Sequence, residues 1–265
     1  MTTIPGIYEF NNAIVRQPGP SVASGLRAED IGDPTYEGVM AEHEAYVTAL
    51  GDAGVRVQVL DALDAFSDSI FVEDPALVFD NAAILLRPGA ATRAGETAAI
   101  APVLRERFET VQELSAGTVE GGDVLYTPDG LMIGLSERTS RDGAEALIAC
   151  LAEIDQKGVI FNTPAGVLHF KSDCSLLDEE TILSTERLAA SGVFDGFRRI
   201  ITPEGEEAAA NALRVNGRVF VGADYPATIA LLTAERYDVV PLKTSEITKI
   251  DAGLSCMSLR WHDRH

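Results

Sequence analysis

Residues Ala212–Leu242 read "ALRVNGRVFVGADYPATIALLTAERYDVVPL". Asn216-Gly217 stands between two runs of alternating apolar residues, the strongest short-range hairpin signal in the chain. Pro226 then falls in the first turn of a helical pattern, where a missing N–H costs little. The helix gives way to the β-rich "YDVVPL". The segment therefore spells strand, strand, helix, strand.

The same succession recurs outward along the chain. Helical patterns running into β-rich stretches occupy "YEGVMAEHEAYVTALGDAGVRVQVL", "GETAAIAPVLRERFETVQEL", "SRDGAEALIACLAEIDQKGVIFNT" and the shorter "STERLAASGVFDGFRRIITP". In the first, helical spacing stops at Gly51 to Gly54, and Val55, Val57 and Val59 alternate as a strand. In the third, Ser140 is placed to cap the helix and a strand is expected around Val159 to Phe161. Hairpin candidates lie between the helices: "ALVFDNAAILLRP", "GDVLYTPDGLMIGLS" and "SLLDEETILST". The helix starts, near Tyr36, Gly95, Ser140, Ser184 and Tyr225, are spaced by about 40 to 60 residues, as repeat units are. A doubly wound sheet would alternate single strands with helices, and the chain has no GxGxxG or Walker A sequence. No low-complexity or Pro/Ser-rich linker divides it, so residues 1–265 read as one α/β domain.

With 46% hydrophobic residues the chain can bury a sizeable core. No apolar run approaches membrane-spanning length, and the N-terminus lacks a leader pattern, so a cytoplasmic protein is expected. A net charge of −20 repels phosphate backbones and anionic lipid, which argues against nucleic acid and membrane as partners and draws small cations instead. Cys150, Cys174 and Cys256 are odd in number and widely spaced, which supports neither a disulfide framework nor a structural zinc site.

Four polar clusters fall at expected strand ends and turns. "DSIFVEDP" contributes Asp68, Glu73 and Asp74, which by themselves read as a solvated turn. "TVEGGDVL" sets Glu120 and Asp123 around two glycines that permit a close backbone approach or a positive φ. "GVLHFKSD" places His169 between Val167 and Lys171 along an expected strand, where a core histidine is the plain reading. Cys256, in "SCMS", is by itself a small buried hydrophobe. Together, one cysteine, one histidine and one carboxylate on separate segments are the parts of a thiol nucleophile with its base and orienting group.

In order and wording, the blocks "NNAIVR", "GLR", "FVEDPALVFDNAAILLRPGAATR", "EGGDVLYTPDGLMIGLSERTSRDGAE", "LHFKSDCSLL" and "DAGLSCMS" resemble the guanidine-modifying superfamily and, within it, the dimethylarginine dimethylaminohydrolase family. The resemblance spans nearly the whole chain; the closing "WHDRH" matches none of the blocks. It implies a five-bladed α/β propeller (pentein) of ββαβ modules around a polar channel. It also implies hydrolysis of N-methylated arginine to citrulline and methylamine or dimethylamine.

By this resemblance Cys256 is the nucleophile, with a thiolate favoured by His169 and the bound cation. His169 is the acid and base, Glu120 orients it, and Glu73 and Asp74 grip the guanidinium. Arg93 and Arg138 match the pair for the α-carboxylate, and Asp68 with the carbonyls of Leu26 and Ile250 matches the amino-acid end. The Gly- and Pro-rich "PGPSVASGLR" is placed to act as a flap. Lys171 stands where arginine deiminases carry an aspartate, which favours methylated arginine over arginine as substrate. Arginine deiminase and amidinotransferase activities remain the enzymatic alternatives, and a guanidinium- or amino-acid-binding module the non-enzymatic one. No cofactor and no metal are expected, and monomer and homodimer are both open.

Overall fold

The computed structural model describes residues 6–28 and 30–263. Its five sheets have three strands each. β1 (Asn12–Arg16), α1 (Tyr36–Asp52) and β2 (Arg56–Leu60) begin the first blade. The second comprises β3 (Ala76–Val78), β4 (Ala82–Leu85), α2 (Glu96–Arg107) and β5 (Thr110–Glu113), and the third β6 (Val124–Thr127), β7 (Gly130–Leu135), α3 (Arg141–Ala152) and β8 (Gly158–Asn162). The fourth comprises β9 (Cys174–Leu176), β10 (Thr181–Ser184), α4 (Glu186–Ala189) and β11 (Arg198–Ile201). The fifth comprises β12 (Leu213–Val215), β13 (Arg218–Gly222), α5 (Pro226–Ala234) and β14 (Asp238–Leu242). β15 (Leu259–Trp261) returns to pair antiparallel with β1, Asn12 opposite Trp261, and completes the first blade.

Each blade is thus an antiparallel strand pair, a hairpin in all but the first, whose second strand is joined through a helix to a parallel third strand. The short inner strands are mostly buried, and β15 lies beside β3, β6 beside β9 and β9 beside β12, so these strands ring an axis. Middle strands such as β4 and β10 are wholly buried, whereas the outer strands are half-exposed edges. This position explains Val59, 50% exposed although it continues the apolar alternation of Val55 and Val57. It also accommodates Pro241 on the edge strand β14, where no ladder hydrogen bond is lost to a further neighbour.

The capping signals act locally as their chemistry dictates. Thr35 Oγ1 accepts from Gly38 N at 3.1 Å and Ser140 Oγ from Gly143 N at 3.1 Å. α5 lacks a cap of its own, and Glu206 supplies one, accepting from Ala227 N at 3.0 Å and Thr228 N at 2.7 Å. α4 is a single turn, followed by Gly192 and Gly196 with φ of 77° and 105°. Asn216 adopts φ 54° at the turn between β12 and β13. The tail that matched no family block has a structural place: Trp261 ends β15, and Asn11 Nδ2 donates to the Asp263 carbonyl at 2.8 Å. Arg264 and His265 lie outside the described residues. Among the described residues no helix is long and apolar enough to cross a membrane.

Candidate active site

The four residues Glu120–Asp123 hold the site together. A Cβ on Gly121 would stand 2.0 Å from the Glu73 carbonyl, and one on Gly122 would stand 2.9 Å from the His169 ring, so close approach, and not a positive φ, is what these glycines provide. Gly122 N donates to Asp74 Oδ1 at 2.9 Å, and Gly121 N to the Asp74 carbonyl at 3.2 Å. Asp123 accepts from Phe170 N at 2.9 Å and from Ser136 Oγ at 2.6 Å, which fixes the backbone just after His169. His169 itself is not in a strand: it precedes a short 3-10 helix, Phe170–Ser172, because Asp123 and the turn claim the backbone groups a ladder would need. Gly121→Ala is expected to cost roughly 1–3 kcal/mol of stability, read by urea unfolding, because the added methyl meets fixed backbone.

His169 Nε2 and Glu120 Oε2 are 2.7 Å apart, and Glu120 Oε1 accepts from Ala90 N at 3.1 Å. Glu120 is 1% exposed. Burial works against a charged imidazole, but the bond to Glu120 and the charges of Asp74 and Asp123 outweigh it and raise the His169 pKa to about 9. Burial first, then the neighbouring Glu73 and Asp74, push the Cys256 thiol up to about 11, so without a bound cation it rests as a neutral thiol. Asn211, which no sequence signal singled out, orients it: Nδ2 approaches Sγ at 3.8 Å and Oδ1 accepts from Ser255 N at 3.1 Å.

One cavity, about 40 Å³ in volume, is lined by Leu26, Asp68, Asp74, Arg93, Glu120, Arg138, His169, Ile250 and Cys256. Asp68 and Asp74 are 4% and 3% exposed and so are not a solvated turn. Asp74 pairs with Arg93, which together with Gly122 N outweighs burial and holds its carboxyl below the ordinary value. Arg93 also meets Glu96, a carboxylate the sequence reading passed over, at 2.7 Å. Arg138 NH1 lies 4.0 Å from Glu120 Oε1. At the other end Asp68 Oδ1 accepts from Leu26 N at 2.9 Å, and Asp251 accepts from Ala28 N. The Gly- and Pro-rich stretch thus reaches the cavity at Leu26, fastened there to Asp68, with Ala28 just beyond it fastened to Asp251. Its Pro20–Ser24 portion is a 3-10 helix.

Glu73 is the expected residue that does not line this cavity. Its carboxylate takes Lys171 Nζ at 2.6 Å, Arg260 NH2 at 3.1 Å and Ser255 Oγ at 3.2 Å. All four line a second cavity of about 110 Å³. Successive residues therefore face opposite ways: Asp74 and Cys256 toward one chamber, Glu73 and Ser255 toward the other. Lys171, 7% exposed, is engaged by Glu73 and does not line the cavity that Cys256 lines. Donor atoms of Asp74, Glu120 and His169 lie within 4.8 Å of one another, a spacing a small cation could bridge, but each is already engaged by Arg93, Gly122 or its neighbour in the cluster.

Radial blades that bring a cysteine and a histidine–carboxylate pair to one polar channel place the chain among the guanidine-modifying enzymes. The arginine deiminase family model matches residues 64–198. N(G),N(G)-dimethylarginine dimethylaminohydrolase of Pseudomonas aeruginosa is 37% identical over 95% of this chain and 100% of its own length, and its namesake from Streptomyces coelicolor is 32% identical over 94% and 96%. The solved structure of the Pseudomonas enzyme in complex with citrulline superposes with a TM-score of 0.92 at 36% identity, covering 96% of this chain and 100% of that one. The chain belongs to the dimethylarginine dimethylaminohydrolase family.

Proposed function

We propose that this enzyme hydrolyses N-ω-methylated arginine, both the asymmetric dimethyl and the monomethyl form, to citrulline and dimethylamine or methylamine. The observation that carries the reading is the meeting of Cys256, the His169–Glu120 pair and Asp74 in one cavity whose rim holds groups suited to an amino acid. That the Pseudomonas relative was solved with citrulline supports the same product here.

Asp74 takes the guanidinium N–H groups through charge-assisted bonds. The bound cation then lowers the Cys256 pKa, offsetting Glu73 and Asp74, and the thiol proton leaves to solvent, since His169 is already protonated. Sγ adds to the guanidinium carbon to give a tetrahedral adduct. With Nε2 held by Glu120, Nδ1 is the nitrogen left to exchange a proton, and His169 protonates the departing amine. Breaking the C–N bond leaves an S-alkylthiouronium on Cys256. Neutral His169 next accepts a proton from water as it attacks this carbon; the C–S bond then breaks with its electron pair on sulfur, the hydroxyl proton passes to the departing thiolate, and citrulline and the Cys256 thiol are left. No cofactor enters these steps. Arg138 and Arg93 take the α-carboxylate, and Asp68 with the Leu26 and Ile250 carbonyls takes the ammonium. Three free cysteines fit a reducing compartment, and the cytoplasm is the proposed location.

A panel of asymmetric dimethylarginine, monomethylarginine, arginine and agmatine, scored for ureido product, tests the assignment. Higher kcat/KM for arginine than for both methylated forms would assign the chain to the deiminases instead. Within that panel, Arg138→Ala is expected to raise KM for dimethylarginine by roughly 30-fold or more and to leave agmatine, which has no carboxylate, nearly unchanged. Equal damage to both would make Arg138 structural.

A further inference from the structure

Asp74 already carries a guanidinium in this structure, and it is the chain's own. Arg93 NH1 pairs with Asp74 Oδ2. The opposite edge of Arg93 is fastened: Nε donates to Glu96 at 3.0 and 3.1 Å, and NH2 donates to Glu96 at 2.7 Å, the Phe71 carbonyl at 3.0 Å and the Asp68 carbonyl at 3.2 Å. NH1 is the nitrogen left to change partners. The two paired residues are also those assigned to opposite ends of the ligand, Asp74 to its guanidinium and Arg93 to its carboxylate.

We propose that Arg93 is a built-in stand-in for the substrate: NH1 holds Asp74 until a ligand carboxylate draws it away, so Asp74 receives a guanidinium only from a ligand that also brings a carboxylate. The inference rests on the functional reading above for the two ends of the ligand. Its physical basis is competition. Asp74 is 3% exposed, and a second guanidinium joining it while NH1 stays would crowd two cations onto one buried carboxylate. A ligand carboxylate removes this conflict by giving NH1 another partner. The cavity, about 40 Å³, holds only about two or three waters, so accommodating an amino acid requires a lining side chain to shift. Glu96 suits this device, since its hold on the Nε/NH2 edge gives an axis about which the guanidinium tilts, carrying NH1 away from Asp74. Arg138 serves as an internal control, because it stands beside Glu120 and not in the Asp74 pair. The exchange makes Arg93 a specificity-determining residue: simple guanidines lose a carboxylate contact and also fail to release Asp74.

Calorimetric titration of methylguanidine into the wild-type protein, with and without saturating glycine, reads the exchange, because glycine supplies the carboxylate and methylguanidine the guanidinium. Glycine is expected to lower the methylguanidine Kd roughly tenfold, and methylguanidine to tighten glycine by the same factor. In Arg93→Ala, methylguanidine binds roughly tenfold tighter than to wild type and glycine no longer changes its Kd. Arg138→Ala weakens glycine and leaves the methylguanidine Kd where it was. Absence of coupling in the wild type overturns the proposal. So does coupling that persists in Arg93→Ala, which would reflect direct attraction between the two ligands, and so does a methylguanidine Kd unchanged or raised in that variant. Should Arg93→Ala not fold, the wild-type and Arg138→Ala titrations decide, with tightening of methylguanidine in Arg138→Ala also counting against it. Neither fragment needs to be turned over, so this result is separate from the substrate panel that tests the activity itself.

Discussion

Cys256→Ser is expected to lower kcat for dimethylarginine by about 10³-fold or more, with unfolding unchanged within about 0.5 kcal/mol. The Sγ contacts with Asn211 at 3.8 Å and Ser255 at 4.0 Å are long, so a hydroxyl loses little packing, but it is far harder to ionise than a thiol. Because the wild-type thiol is pushed up to about 11, iodoacetamide should modify Cys256 slowly at neutral pH and faster as the pH climbs toward that value. Rapid alkylation at pH 7 would show a resting thiolate, and turnover by the serine variant above about 3% of wild type would remove Cys256 from the nucleophile role.

His169→Asn is expected to cost roughly 10² to 10⁴ in kcat, the next largest loss. Both the amine and the water steps pass a proton through the ring. The variant has two further signatures. The imidazole of the folded protein titrates near 9, above its ordinary 6.5, so wild-type kcat/KM should fall as the pH passes about 9 and the general acid is lost; residual activity of the variant should lack that limb. Stability follows the same group. The imidazolium stabilises the folded state fully below pH 6.5, and this contribution disappears as the pH rises through about 9, so the gap in unfolding free energy between wild type and variant narrows across that window. A gap that widened instead would contradict the charge assigned to His169.

The blade count was legible because each blade advertises itself locally. Asn216-Gly217, Pro226 and Ser140 act through their immediate neighbours, and the turn and helix starts formed where their chemistry put them. Edge exposure, as at Val59, was not legible, because which strand lies outermost depends on the helical crossover and not on the alternation of side chains. The site divides the same way. Glu120, His169, Asp74 and Cys256 stand in recognisable blocks, so their residue types and order were visible. What the order hides is partnership. Glu96 meets Arg93 one helical turn on, Asn211 reaches Cys256 across 45 positions, and Lys171 turns to Glu73 in the rear chamber. Ionisation was hidden too, because a sequence does not show that Cys256 sits next to two carboxylates whose charges oppose its own.

The pairing of β15 with β1 has a consequence for how the protein is made. Asn11 and Asp263 are bonded across 252 positions, and Cys256 immediately precedes the strand that seals the ring. As synthesis runs from the N-terminus, β2 to β14 can form while the antiparallel partner of β1 is still unmade, and Asp74, Glu120 and His169 are all translated before Cys256. On the proposed roles, a chain that stops short of Cys256 and β15 lacks both the attacking sulfur and the closing strand, and is therefore silent toward guanidines.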